Sequence, residues 1–396
     1  MPIIICPKCG HRISSTLGYC PFCDNDSDPE SEDGSLQFVE RPGGYYVFGR
    51  NSNETDIKIP AFYNGKPVIG ISIGGFQDND SIESVELPKT IRFIERNAFY
   101  SCTSLKSVSL NEGVLYIAQD AFNNCASLTG EIEIPETVLW VGKAAFENCG
   151  QITSIKIKGA KTRLEMPLFM YCKNLINIEV SQNNAYYKTI DGILYSKNGN
   201  SLIYCPLAMG NIFQEDGYYM NVSIPDGVIK IEDYAFYEHP FLGRVTMPDS
   251  ILSIGKYAFF KSSVTPMNLS KHLLTIEEAA FAGCDSMRLE QESLPMTLIS
   301  IGDFAFKDCG CIRSVIIPKT VALMGQGVFQ GLTDDGLTSE TKVFCEIEQE
   351  PKTWNIFWKR GFLERDINNI FWLTNDSSKK DGHHWIKTDD GPMILK

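Results

Sequence analysis

Phenylalanine recurs with a period close to 23 residues from Phe76 to Phe329, usually preceded by Ala and followed by Cys three positions on and by Leu or Ile six positions on. The copies stand at Phe76, Phe99, Phe122, Phe146 and Phe169, then at Phe236, Phe259, Phe281, Phe306 and Phe329, with steps of 22 to 25 inside each block. A fixed period of this length is the signature of a solenoid, whose repeats bury their flat faces only by stacking on one another. The 396 residues therefore measure coil number rather than the size of one core.

Around Phe99 the apolar positions are Ile91, Ile94, Ala98, Cys102, Leu105, Val108 and Leu110, and the same offsets recur around Phe146 and Phe236. Leu105, Val108 and Leu110 keep a Leu-x-x-Leu-x-Leu rhythm whose last two apolar positions alternate as in a strand. Each coil is expected to give one short strand to a parallel ladder, which makes the fold class a mainly β repeat solenoid, a leucine-rich-repeat stack. Pro88, Pro135, Pro225, Pro248, Pro295 and Pro318 all stand eleven residues before their phenylalanine. Proline lacks the N–H a ladder needs and fixes its own φ, so it marks where pairing stops and a turn begins. The second half of each coil, as in Ile91 to Phe99, has apolar spacings of three and five that suit a short extended segment or a single helical turn, and is read as extended.

The ends and one interruption depart from the period. Residues 44–71 run through Tyr45, Tyr46, Val47 and Phe48 to the Asn64-Gly65 turn, and read as an N-terminal capping hairpin. Residues 343–372 carry Phe344, Trp354, Ile356, Phe357, Trp358 and Trp372 at irregular spacing and suit a C-terminal cap core. About residues 181–220 one Ala-Phe unit is replaced by Asp191-Gly192 and Asn198-Gly199 between alternating apolar residues, the signal of a hairpin insertion projecting from one edge. The polar segment 373–396 is expected to be a tail or loose hairpin.

Ala98-Phe99 with Cys102 and Leu105, Ile-Pro before Val-x-x-Ile, Asp191-Gly192-Ile193-Leu194-Tyr195-Ser196, and Cys345-Glu346 followed by Trp354-Asn355 together resemble the BspA-like leucine-rich repeat family over residues 44–372. The resemblance implies a mostly bacterial, non-enzymatic solenoid, with surface-displayed members associated with adhesion to proteins of a host or a neighbouring cell.

Cys6-Pro7-Lys8-Cys9-Gly10 and Cys20-Pro21-Phe22-Cys23 form two CPxC knuckles with ten residues between the inner cysteines. Two turns that each offer a pair of thiolates can close a tetrahedral four-thiolate site, and metal binding then folds a module too short for a core. The expectation is a structural zinc ribbon over residues 1–24, with one zinc per chain held by Cys6, Cys9, Cys20 and Cys23. Residues 25–43 follow as an acidic flexible linker. Asp24, Asp26 and Asp28 match the first positions of a calcium loop, but Pro29 and Ser35 stand where it needs its glycine and its bidentate glutamate.

The cysteines at 102, 125, 149, 172, 284 and 309 fall one per coil in a slot that His239, Ser262 and Leu332 also fill, and are read as inert core thiols. No catalytic set surrounds any of the five histidines, and no P-loop, Rossmann or zincin pattern occurs, so no enzyme is expected. A formal charge of −13 argues against nucleic acid, and no stretch reaches the roughly 20 apolar residues of a membrane span. If Val108 and Leu110 point inward, Ser109 points out, and the matching outward positions are Glu86, Glu133, Lys156, Glu179 and Thr246. This mixed stripe suits a protein or peptide partner. The sequence thus reads as a non-enzymatic protein-binding scaffold with a structural zinc module. Met1 to Cys6 is too short for a signal peptide, so the expected location is cytoplasmic; the alternatives are an exported cell-surface or secreted adhesin and a zinc- or thiol-dependent oxidoreductase.

Overall fold

The structure is a computed structural model that describes residues 36–49, 52–209, 219–265, 267–289, 293–331, 342–359, 370–389 and 391–395, with two short N-terminal strands, Ile3–Ile5 and Arg12–Ser14, paired antiparallel. Among the described residues every regular element is a β-strand. The chain forms two compact units, Met1–Gly192 and Ile193–Lys396.

In the first unit each coil contributes two strands. The Leu-x-x-Leu-x-Leu segments Asp56–Lys58, Ser84–Glu86 and Ser107–Ser109 form one parallel sheet, and Thr129–Ile134, Gln151–Ile157 and Asn177–Val180 form another. Period-two alternation decides which side chains are buried: Ile132, Ile155 and Ile178 face the core, while Glu133, Lys156 and Glu179 sit in register on the outer face. The second half of the coil narrows to two extended residues, at Phe93–Ile94, Tyr116–Ile117, Trp140–Val141 and Arg163–Leu164. These run parallel, and Lys66–Ile71, Gly44–Phe48 and Gln37–Arg41 extend the sheet. An Arg41–Glu95 ion pair of 2.9 Å ties this N-terminal hairpin to the first coils.

Between the two sheets lies the phenylalanine column. Phe76, Phe99, Phe122, Phe146 and Phe169 are buried, with successive ring centroids 5.2, 5.2, 5.3 and 6.5 Å apart and close to parallel. The spacing is near the roughly 4.8 Å step of a β-ladder, so one ring per coil fills the core as the backbone climbs. The second unit repeats the device with Phe236, Phe259, Phe281, Phe306 and Phe329 at 4.8, 5.1, 5.3 and 5.6 Å.

The backbone around each ring has a feature that residue types do not announce. Except at Phe169, where Pro167 stands two before the ring, residues two before and two after the phenylalanine are left-handed: Asn97 and Ser101 flank Phe99, Ala144 and Asn148 flank Phe146, Tyr257 and Lys261 flank Phe259. With that alternation, the N–H groups of Asn97, Phe99 and Ser101 donate to Gln119, Ala121 and Asn123 of the following coil at 3.2, 2.7 and 2.8 Å. The preceding alanine is fully buried at positions 98, 121 and 145, and its carbonyl is the acceptor for the neighbouring phenylalanine. The cysteine slot closes the same contact, because Cys102, Cys125, Cys149 and Cys172 each donate Sγ–H to the carbonyl of the preceding coil's phenylalanine at 3.0 to 3.1 Å.

In the second unit the hairpin does not project. Ile193–Ser196 pairs antiparallel with Ser201–Tyr204, which is itself the neighbour of Lys230–Ile231 in the short-strand sheet, and Leu194, Tyr195 and Leu202 are buried. The sheet continues through Ser253–Ile254, Thr275–Ile276, Ser300–Ile301 and Leu323–Met324. At the C-terminal end Ser314–Ile317, Lys342–Cys345, Ile370–Leu373, His384–Thr388 and Gly391–Leu395 form a five-stranded sheet. Phe344, Phe371 and Trp385 pack on it, and the Trp385 indole donates to the Cys345 carbonyl at 3.1 Å. Trp354 and Trp358 are also buried in a core, whereas Ile356 and Phe357 between them, expected in the same core, are exposed.

The expected zinc ribbon is corrected. Among the described residues no group of His, Cys, Asp or Glu is placed to hold a metal ion, and Cys6, Cys9, Cys20 and Cys23 lie outside those residues, as does most of the acidic stretch after them. Among the described residues the fold is a mainly β leucine-rich-repeat solenoid, and nothing in them supports an added zinc module.

Removal of one ring from the middle of a column leaves a cavity that neighbouring coils cannot close. Phe122→Ala is expected to cost roughly 3–5 kcal/mol in equilibrium denaturation. His239 gives a second test. Its ring is buried, Nδ1 accepts from the Phe241 N–H at 3.3 Å and Nε2 donates to the Pro206 carbonyl at 3.1 Å, and burial lowers its pKa from 6.5 to about 4. Between those values the unfolded chain binds a proton that the folded one refuses. The stability present above pH 6.5 should therefore fall as pH drops toward about 4. His239→Cys, which installs the residue used by other coils, should flatten that slope in denaturation curves taken across this window.

Candidate functional site

An LRR solenoid offers partners the outer face of its strand ladder, because inward positions are committed to the core. The structure places the six outward residues in three groups. Glu133, Lys156 and Glu179 are brought together in one row of three adjacent strands. Glu86 and Ser109 are register partners in the other ladder of the first unit, with Lys58 beside Glu86. Thr246 belongs to the second unit, in register with Ser223 and Asn268.

The first-unit rows carry interleaved charge. Lys58 pairs with Glu86 at 3.2 Å, Lys106 with Glu83 at 2.6 Å and Lys156 with Glu179 at 3.7 Å, and Lys158 contacts Glu133. The hydrogen bond that Lys158 donates to Glu133 raises the Lys158 pKa, and hydrogen bonds from Ser84 and Thr55 lower that of Asp56. These side chains are exposed, and such pairs contribute little to stability. They hold the charges in an ordered pattern that costs little to break and re-form against a partner.

Beside Thr246 the second-unit ladder narrows to Met267–Asn268, and a groove of about 620 Å³ opens there. Met247, Met267, Leu294 and Met296 line it together with Asp249 and Lys271, which form an ion pair of 3.4 Å.

A further outward row was missed by the Leu-x-x-Leu-x-Leu reading. On the short-strand sheet Phe93, Tyr116, Trp140 and Arg163 are register partners whose neighbours Ile94, Ile117, Val141 and Leu164 point inward. Phe93 stacks on Tyr116 at 5.9 Å, and the Arg163 guanidinium lies over Tyr186 at 4.2 Å. The signal is present as the residue six positions before each phenylalanine, but a two-residue strand shows no alternation to draw attention to it.

The repeated thiols are unsuited to redox work. Burial pushes Cys102, Cys172 and Cys284 up to about 12 and holds Cys125, Cys149 and Cys309 well above the ordinary value, so all six are protonated at neutral pH. His384 is occupied by Asp381 at 2.7 Å within a turn that also caps the His383 and His384 N–H groups.

The model of the BspA type leucine rich repeat region matches residues 69–191 and 210–334, with 6 copies. The chain belongs to this family. It is a non-enzymatic repeat protein whose solenoid surface is suited to binding proteins or peptides, and no helix among its described residues is long and apolar enough to cross a membrane. No curated protein matches it. Among solved structures it is similar to a leucine rich cell surface protein from Faecalibacterium prausnitzii A2-165, with 28% identity and a TM-score of 0.52 over 78% of this chain and 93% of that one. It is also similar to the pneumococcal vaccine antigen PcpA, with 16% identity and a TM-score of 0.65 over 93% of this chain and 98% of that one, a likeness that shows the fold alone. The expected cytoplasmic scaffold with a zinc module is corrected accordingly: the 28% identical relative is a cell-surface protein, and the metal is without support.

Among the described cysteines Cys311 is partly exposed and the others are buried. Peptide mapping after brief iodoacetamide treatment of the folded protein should find Cys311 alkylated, and Cys102, Cys125, Cys149, Cys172, Cys284 and Cys309 modified only after denaturation.

Proposed function

We propose that the protein is an exported, cell-surface or secreted recognition protein of the adhesin kind, which holds a protein or peptide partner on the outward ladder of its first unit. The observation that carries this reading is the 28% identity to a cell-surface protein across 78% of this chain, since that likeness extends along the repeats themselves. The ladder supports the choice of partner. Glu133, Lys156 and Glu179 alternate in sign along one row, whereas a nucleic acid would need a basic stripe and the chain carries a formal charge of −13. Glu86 and Ser109 extend the candidate contact set to the other ladder of the first unit, and Thr246 is a separate candidate on the second.

Two measurements test location and surface separately. Brief protease treatment of intact source cells should release peptides of this chain while a ribosomal marker stays protected; protection of the chain until lysis would refute a surface location. Glu133→Ala, Lys156→Ala and Glu179→Ala combined should weaken retention of the partner by about tenfold, the effect of one or two lost charged contacts, with the melting temperature nearly unchanged.

A further inference from the structure

We infer that the turn edge of the second unit carries a binding site for an arginine side chain of a partner protein, built from Tyr234, Tyr237, Tyr257 and Phe260. This site is separate from the outward ladder and does not depend on it. The four rings stand on two successive coils. Tyr234 stacks on Tyr257 at 5.4 Å and Tyr237 on Phe260 at 5.2 Å, and the two stacks meet obliquely, Tyr234 against Tyr237 at 5.7 Å and Tyr257 edge-on to Phe260 at 5.6 Å. All four are only partly buried, unlike Phe236 and Phe259 of the same coils.

Their placement runs against local preference. Tyr234 and Tyr257 have φ of 62° and 54°, in the left-handed region that a bulky residue adopts at a cost. In other coils the left-handed residue at this position is Gly74, Asn97, Asp120, Ala144, Ala279, Phe304 or Gly327, of which Phe304 alone is also a ring. The position after the phenylalanine is Gln77, Tyr100, Asn123, Glu147, Met170, Ala282, Lys307 or Gln330 elsewhere, so the coils of Phe99 and Phe306 carry a ring at one of the two places and those of Phe236 and Phe259 alone carry rings at both. The fold does not require these rings, and the core gains little from half-exposed side chains. Four rings gathered on the surface of two coils, where the core does not ask for them, point to a contact with something else.

The electrostatics specify the occupant. Ring faces attract cations, and the guanidinium group, planar and weakly hydrated, stacks on them best. The chain already makes one such contact here, with the Lys261 ammonium 5.3 Å from the centre of Phe260. Glu278 accepts the Tyr257 hydroxyl at 2.8 Å and also pairs with Lys256 at 3.2 Å. Asp233, exposed beside Tyr234, accepts the Lys256 backbone N–H at 3.0 Å and lies near enough to act electrostatically on the Tyr234 hydroxyl. Glu232 and Glu277 add to the acidic side, and Lys230 is engaged with Glu232. Stacked rings inside a predominantly acidic rim complement a positive, flat group.

The test uses the full-length protein and three labelled peptides, Gly-Ser-Arg-Gly-Ser-Arg-Gly-Ser and its Lys and Gln counterparts, followed by fluorescence anisotropy at low and high salt. The Arg peptide should bind about tenfold more tightly than the Gln peptide and more tightly than the Lys peptide, consistent with one desolvated cation–π contact. Tyr234→Asn with Tyr257→Asn, which places at both sites the residue used at Asn97, should abolish that preference without lowering the melting temperature. Asp233→Asn, which keeps the oxygen that accepts the Lys256 N–H, should weaken Arg binding severalfold and provides a variant that leaves the rings in place. Equal binding of the Arg and Gln peptides would overturn the inference. So would an undiminished Arg preference in the double Tyr variant or in Asp233→Asn.

Discussion

Each coil is held to the next by a short strip of backbone around a buried phenylalanine. Three N–H groups on alternate residues donate forward, and the phenylalanine carbonyl accepts a thiol from the following coil. The ring column is a consequence of that strip, because the hydrogen bonds fix the axial step and the step places successive rings in contact. The arrangement is satisfied only between neighbours, so each array needs an end that supplies the missing partners. In the first unit the sheet ends in an antiparallel hairpin, and in the second in a sheet closed by tryptophans whose indole N–H groups reach backbone carbonyls.

Much of this was legible in the sequence because the inward positions obey simple rules. The period gave the coils, the Leu-x-x-Leu-x-Leu rhythm gave the long strands and their outward residues, and the single cysteine per coil gave a buried slot. The left-handed residues were not legible. Tyr234, Tyr257, Ala279 and Phe304 occupy positions where glycine or asparagine would have been the signal, and neighbouring hydrogen bonds override their preference. The hairpin at Ile193–Tyr204 was recognised by its turns, but its role as a strand of the main sheet depends on partners distant in sequence. The cysteine knuckles misdirected the reading for a different reason: metal-site spacing is a local pattern, and nothing in the described structure builds on it. Location was drawn from the first few residues, whereas the informative evidence lay along the repeats.

The outer face has another kind of freedom. Its rows differ between the two units and between the two sheets, with paired charges on one ladder, aromatic rings on another and small polar residues at Ser253, Thr275 and Ser300 on a third. One core can therefore support several chemically distinct surfaces, and a chain of this design can engage more than one partner without any change to what holds it together.

The period itself is not constant, and its variation is confined to one arc. The proline slot stands eleven residues before the phenylalanine, and the Leu or Ile stands six after it, so a change in coil length must fall between them. That interval is six residues in most coils, five from Thr265 to Ser270, seven from Leu128 to Pro135 and eight from Met287 to Pro295. The short arc and the longest one belong to consecutive coils, and the groove beside Thr246 is lined from both. A chain built in this way keeps slack on the face that meets the outside and none on the face that stacks, so insertions can reshape a contact surface while the ring column keeps its step.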